Sequence, residues 1–466
     1  TGANTYSGGT TLNGGTLSVS GNSALGTGAV SMAGGTTIST SADATLSNAI
    51  TLNGGISTFT ATGGAMMLSG NVTGSANAWM LNPTNKITLA GTNSLTSSGA
   101  FNIGAGSVDI TGSTTIDGGA AANFGFATIG NNAAATVTIS NGGSLTINGT
   151  TNVTKPNTIV GQQLTQTSTI NVGATDKSSS GTLVIGGNTG FVLGNNSATA
   201  TGVLTISSGT ATITAGSATL QDMQNFIAMG RDNATGIINL DGGTLATGRQ
   251  FVRDGSAGGT EGAGTATFNF NGGVLQAQAD QTQGNGWFET ATTGNFQVVT
   301  TNVAEGGAKI DTNGFNVNIN TALVHAGSNA IDGGLIKNGA GVLSLGGTNT
   351  FTGNVAVNAG TLSLATNLSL DDTIVLSLAT GTALDLAFAS GSETVFGLVL
   401  NGTAVAAGTY DVTQLNALGS GSSITFTSAG GTLTVVPEPG TVAMLCLGLI
   451  CGLLVFRRRA RTDSLS

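Results

Sequence analysis

The chain has 466 residues, 39% hydrophobic, 5% aromatic and only 7% charged, with 77 glycines. An average soluble domain is about 25% charged, yet abundant Thr, Val and Ile argue against disorder, and collagen is excluded because the glycines keep no three-residue period and there are four prolines. The net charge of −9 is uneven: up to Phe456 there are 8 basic against 20 acidic residues, a balance of −12 that leaves no clustered basic surface for nucleic acid.

In chain order the predicted elements are short strands. Residues 1–19, TGANTYSGGTTLNGGTLSV, align without a gap under residues 345–364, LGGTNTFTGNVAVNAGTLSL. Asn4 falls under Asn349, Tyr6 under Phe351, Gly8 under Gly353, Leu12 under Val357, Gly15 under Gly360 and Leu17 under Leu362. A looser copy occupies 89–110, and a second family of units starts at Ile129, Leu193 and Met229, with a related core at 266–277. Each unit alternates apolar and small polar residues, breaks at an Asn/Asp-Gly-Gly, and alternates again. Period-two alternation predicts strands with one buried face, and Asn-Gly or Gly-Gly supplies positive-φ turns. Residues 219–229 are the nearest approach to a helix, with one or two turns at most.

Units this short bury their apolar face only by stacking. The expectation is an all-β fold: an elongated right-handed parallel β-helix (solenoid) over residues 1–435, followed by a single C-terminal hydrophobic helix. A series of two-sheet sandwiches is the alternative. At roughly 20–25 residues per coil, about twenty coils would make a rod on the order of 100 Å. Leu12, Leu17, Val19, Leu345, Val357, Leu362 and Leu364 should point inward. Thr1 falls inside a repeat that lacks its incoming strand, so the chain reads as a fragment or as N-terminally processed, with an uncapped edge. The pattern L-x-G-x-N-T-[YF]-[ST]-G, clearest at 1–19 and 342–364 and weaker at 89–110, resembles the autotransporter-associated β-strand repeat of bacterial surface proteins. That resemblance implies an extracellular, passenger-like rod, although the C-terminal membrane barrel of conventional autotransporters is missing.

The final segment, 436–461, differs in kind. Val436–Pro439 reads VPEP, Gly440 to Phe456 carries no charge, and Arg457, Arg458 and Arg459 close the run. Its 17 residues would make a helix of roughly 25 Å, at the short end for a bilayer, with the arginines cytoplasmic. Both cysteines, Cys446 and Cys451, lie in it, so the body has no disulfide, thiolate nucleophile or Cys-type zinc site. An extended proline motif, a short span and a basic stop resemble the PEP-CTERM sorting signal of Gram-negative bacteria. This implies an exosortase-type sorting protease as partner, cutting near Pro437, Glu438 and Pro439, and transient residence in the inner membrane, with Arg457, Arg458 and Arg459 as the membrane stop. The protein would then reach the cell surface or extracellular matrix.

Catalytic and metal-binding residues are not apparent. A carbohydrate-active β-helix enzyme, lyase or hydrolase, is the alternative function, and it would need converging carboxylates. Asp371-Asp372 is the one adjacent acidic pair and reads as a solvated turn. His325, the single histidine, reads as a structural loop residue, since one histidine without a nucleophile motif defines neither triad nor metal cluster. Arg231, Asp232, Asp241, Arg249, Arg253, Asp254 and Glu261 read as solvated corners. Were a sugar bound, Arg253-Asp254 beside Phe251, or an exposed Trp287, would be the places to look, although strand filling is the simpler role for Trp287. No cofactor is expected. The sequence therefore points to a non-enzymatic, exported structural or adhesive protein of the envelope or exopolysaccharide matrix, with surface glycans as candidate ligands.

Overall fold

The computed structural model describes residues 2–118, 127–131, 133–149, 157–162, 166–186, 189–195, 199–215, 225–254, 264–281, 286–290 and 296–436. The alternation is realised as strands. Thr36–Thr40 and Ala135–Ile139, for example, bury every second residue and leave the others half-buried. Successive strands pair in parallel and in register with the equivalent strand one coil later, as in a β-helix.

Three faces result. The first runs through sixteen parallel strands from Thr10–Leu12 to Gly397–Leu400. The second runs from Thr16–Val19 to Gln250–Asp254. Bridges Gln281–Val317 and Phe288–Ile319 then hand it over to the strands Val317–Ile319 through Thr425–Ser428. The third is an 11-stranded sheet from Ala44–Leu46 to Leu323–His325. At ~4.8 Å per rung, sixteen rungs make a stack of roughly 75 Å, shorter than the sequence estimate. The reason is coil length. Register steps on the first face are 20–22 residues at both ends but 27–38 in the middle.

One apolar core runs through the stack. Val19, Leu345, Val357, Leu362 and Leu364 are buried in it as expected. Leu12 and Leu17 are only half-buried against it, because their strands have a paired neighbour on one side only among the described residues. In the long middle coils the second face is buried on its outer side as well. Thr128, Ile159, Val192, Ala228 and Val252 are register neighbours there, and all are buried.

The repeat glycines have two jobs. Gly15 and Gly360, aligned in sequence, take φ of 75° and 69°, which only glycine adopts without strain. Gly353 instead lies against the coil beneath, where an added Cβ would sit 2.3 Å from the Gly334 amide nitrogen. At the aligned Gly8 the same Cβ would meet nothing within 4 Å. Gly353→Ala should therefore lower stability by about 1–3 kcal/mol, while Gly8→Ala stays within about 0.5 kcal/mol. Urea unfolding of the two variants checks the contrast.

Candidate functional site

The signature asparagine of the repeat is a corner staple. Asn349 is buried; its Oδ1 accepts from the Leu323 amide of the coil below at 2.7 Å, and its Nδ2 donates to Gly347 O and to Ser369 O of the coil above. Asn93 repeats the scheme, accepting from Val72 N at 3.0 Å and donating to Thr114 Oγ1 and Gly91 O. Asn4 donates to Ala24 O at 2.7 Å. Only an amide both accepts and donates here, which is why the pattern holds Asn and not Asp. Half-buried amides form a second set of rungs: Asn302 donates to Asn269 and Asn269 to Asn239, each at 2.8 Å.

Next to these coils, several charged residues bond within the fold. His325 ends the strand Leu323–His325, and its Nδ1 lies 2.9 Å from Asp332 Oδ2. Thr352 Oγ1 sits 3.3 Å from that same nitrogen. A triad needs nucleophile and acid on opposite ring nitrogens, so this geometry belongs to a loop clamp. Burial alone would raise the Asp332 carboxyl, but the Thr352 amide, His325 and the amides of Gly334 and Gly353 together hold it below its usual value. Lys337 is fully buried, and its Nζ donates to Thr312 Oγ1 and to the carbonyls of Asn338, Gly339 and Ala359 at 2.7–3.0 Å. Burial lowers its pKa to about 8, against the opposing pull of Asp311. Asp371 bonds to the Thr373 amide in the expected turn, and Asp372 is exposed.

Two readings of the 231–288 region are corrected. Arg249 is no solvated corner. It is fully buried, with Nε on Thr214 O and Nη2 on Gly186 O, spanning two earlier coils, and burial lowers its pKa to about 9. Arg253 is buried too, donating to Gly264 O at 2.7 Å. Neither aromatic offers a stacking platform: Trp287 and Phe251 are buried, and Phe251 stacks on Phe288 with centroids 4.8 Å apart. A bulky ring satisfies the core of these wide coils before it can serve a surface. Glu261 and the side chain of Asp254 lie outside the described residues. Within 219–229, the described part includes the strand Phe226–Met229, not a helical turn. No group of three or more His, Cys, Asp or Glu that could hold a metal is found among the described residues.

At the C-terminal end the stack is closed. The Asn401-Gly402 turn, both residues at positive φ, folds Thr403–Ala404 antiparallel onto the last first-face strand. A short helix, Val412–Gly419, lies along Thr425–Ser428, where Asn416 both donates to and accepts from the Phe426 backbone, standing in for a further strand. The sequence reading missed this helix, although Asp411 and Gln414 form a capping box that announces it. Gly408–Tyr410 pairs antiparallel with Thr432–Val435, whose other edge pairs parallel with Ser392–Val395. The carboxyl of Glu393, on that last strand, is fully buried and accepts from the amides of Ser369 and Leu370. An apolar cleft of about 350 Å³, bordered by Val375, Phe396, Leu398, Val405, Ala407 and Val436, opens beside the point where the described chain ends.

The expected span 440–456 and the sorting residues Pro437, Glu438, Pro439, Arg457, Arg458 and Arg459 lie outside the described residues. Among the described residues no helix is long and apolar enough to cross a membrane. Residues 435–459 match the PEP-CTERM protein-sorting motif, and residues 1–19 and 335–364 match the passenger-associated-transport-repeat. No curated protein and no solved structure matches the chain. A PEP-CTERM motif is recognised by an exosortase and directs export to the envelope or surface in Gram-negative bacteria, so the chain carries the marks of an exported surface protein.

Proposed function

We propose that the protein is a right-handed β-solenoid with a structural or adhesive, non-catalytic role in the bacterial envelope or exopolysaccharide matrix, delivered there by its tail. The hand follows from the strong preference of parallel β crossovers for right-handed connection. In this reading residues 440–456 hold the chain in the inner membrane, Arg457–Arg459 keep its end cytoplasmic, and an exosortase cuts near Pro437–Pro439. Surface glycans are the partners that suit a rod with few charges and exposed Thr, Ser and Asn on its sheets.

The observation that carries this reading is one of position. The sorting match begins at Val435, the last residue of the docked strand Thr432–Val435, so the motif starts where the described fold stops. Cleavage there would release an intact solenoid. Replacing Pro437, Glu438 and Pro439 together with alanine should move the protein from the surface fraction to an uncleaved inner-membrane form. Fractionation and mass spectrometry read the outcome. Unchanged surface delivery of the triple variant, or peptides spanning Leu445–Arg457 on the mature surface form, would overturn it.

A further inference from the structure

We propose that Glu393 is a proton-sensitive latch that ties the docking of the last coil, and of the strand leading into the sorting motif, to the acidity around the protein. Glu393 occupies the role that asparagine fills in earlier coils. Asn93 Oδ1 accepts from Val72 N and Asn349 Oδ1 from Leu323 N, each a coil earlier. Likewise Glu393 Oε1 accepts from Leu370 N at 2.7 Å and Oε2 from Ser369 N at 3.2 Å. Inner coils need an amide because the same side chain also donates to the coil above, as Asn349 does to Ser369 O. Among the described residues the closing coil makes no such donation, so a carboxyl whose two oxygens accept from the coil below does the remaining work. The last staple is thereby the ionisable one.

Its strand, Ser392–Val395, forms the parallel edge on which Thr432–Val435 docks, with Glu393 opposite Leu433. The docked strand, the first-face strand Gly397–Leu400 and the helix Val412–Gly419 carry no ionisable side chain. Gly408–Tyr410, on the far edge of the docked strand, carries only the Tyr410 hydroxyl, which donates to Ala406 O. The corner 366–373 carries Asp371 and Asp372 and no basic residue. Among the described residues, nothing cationic on these elements compensates a charge on Glu393. Burial raises its carboxyl from 4.5 to about 7; the Leu370 and Ser369 amides oppose this and the negative charge of Asp372 adds to it. A carboxyl raised in the docked state binds an extra proton there. Docking is thus firmest below about pH 4.5 and weakens as pH rises toward about 7. Between those limits the undocking constant should rise about tenfold per pH unit and then level off.

Hydrogen exchange on the purified full chain in mild detergent, corrected for the intrinsic pH dependence of exchange, tests this without any sorting protease. A failure of the sorting reading would therefore leave the result untouched. From pH 5 to pH 7 the amides of Thr432–Val435 and Gly408–Tyr410 should lose protection by tens of fold relative to those of Thr361–Leu364. Glu393→Gln, which keeps an acceptor oxygen but no charge, should flatten the difference, and Asp372→Asn should shift the window to lower pH. Terminal and reference amides that respond alike in the natural chain, or a Glu393→Gln chain with undiminished pH dependence, would overturn the proposal.

Discussion

Phe268→Ala is expected to cost the middle coils about 3–5 kcal/mol. Phe268 is fully buried on the third face, with ring centroids 5.0 Å from Phe251, 4.5 Å from Phe270 and 5.3 Å from Phe288. These wide coils are filled here by a cluster of aromatic rings. Truncating the ring at the centre of the cluster leaves a cavity that neighbours on a hydrogen-bonded ladder cannot close, and it removes edge-to-face contacts worth about 0.5–1.5 kcal/mol each. A solenoid transmits such a loss only to adjacent coils. Hydrogen exchange should therefore show strands between Thr235 and Ile319 losing protection while Val30–Leu68 is unchanged. A uniform loss along the chain, or a cost below about 1 kcal/mol, would show that the rings are not a local keystone.

Lys337→Met should cost roughly 2–4 kcal/mol. Methionine fills the volume of the stem but strands the carbonyls of Asn338, Gly339 and Ala359, which now share one ammonium. The net figure is smaller than three lost acceptors would suggest, because removing a buried charge also removes its desolvation cost. A second signature separates charge from packing. With the folded pKa lowered from 10.5 to about 8, the native chain binds fewer protons than the unfolded one between these values. Its stability from this group therefore rises with pH across that window. The methionine variant should lack the rise in urea titrations at pH 8 and pH 10; an identical rise in both chains would assign it elsewhere.

The same alternation that made the strands legible also marked these charges, and it went unused. In Leu335–Asn338, Lys337 holds an inward slot in register with Val357, and in Ser392–Val395, Glu393 holds one beside Val395. The sequence analysis singles out neither residue, although the period of their strands places both inside. Trp287 and Arg249 were harder, since neither lies within a regular strand whose phase could be counted. The coil count failed for a related reason: extra residues inserted at corners leave the alternating cores intact, so the sequence shows the rungs but not the spacing between them. The closing helix was missed because eight residues, Val412–Gly419, are too few for a helical period to register against an alternating background. The corner asparagines were visible as a motif. Their chemistry, one amide serving three coils, needed the stacked backbone to be seen.

The hydrogen bonds joining successive coils point along the stack, and this sets how the protein would answer a pull on its two ends. Tension along that axis loads the rungs in series, so they open in succession rather than sharing the load. Each coil that opens gives up only ~4.8 Å of rung spacing but frees chain that can extend to roughly 70 Å for a 20-residue coil and roughly 130 Å for one of 38. A cell held by such a filament would feel a long, stepwise extension at modest force, with the middle coils lengthening most per step. In the adhesive role proposed above, the uneven coil lengths would make the rod a graded tether.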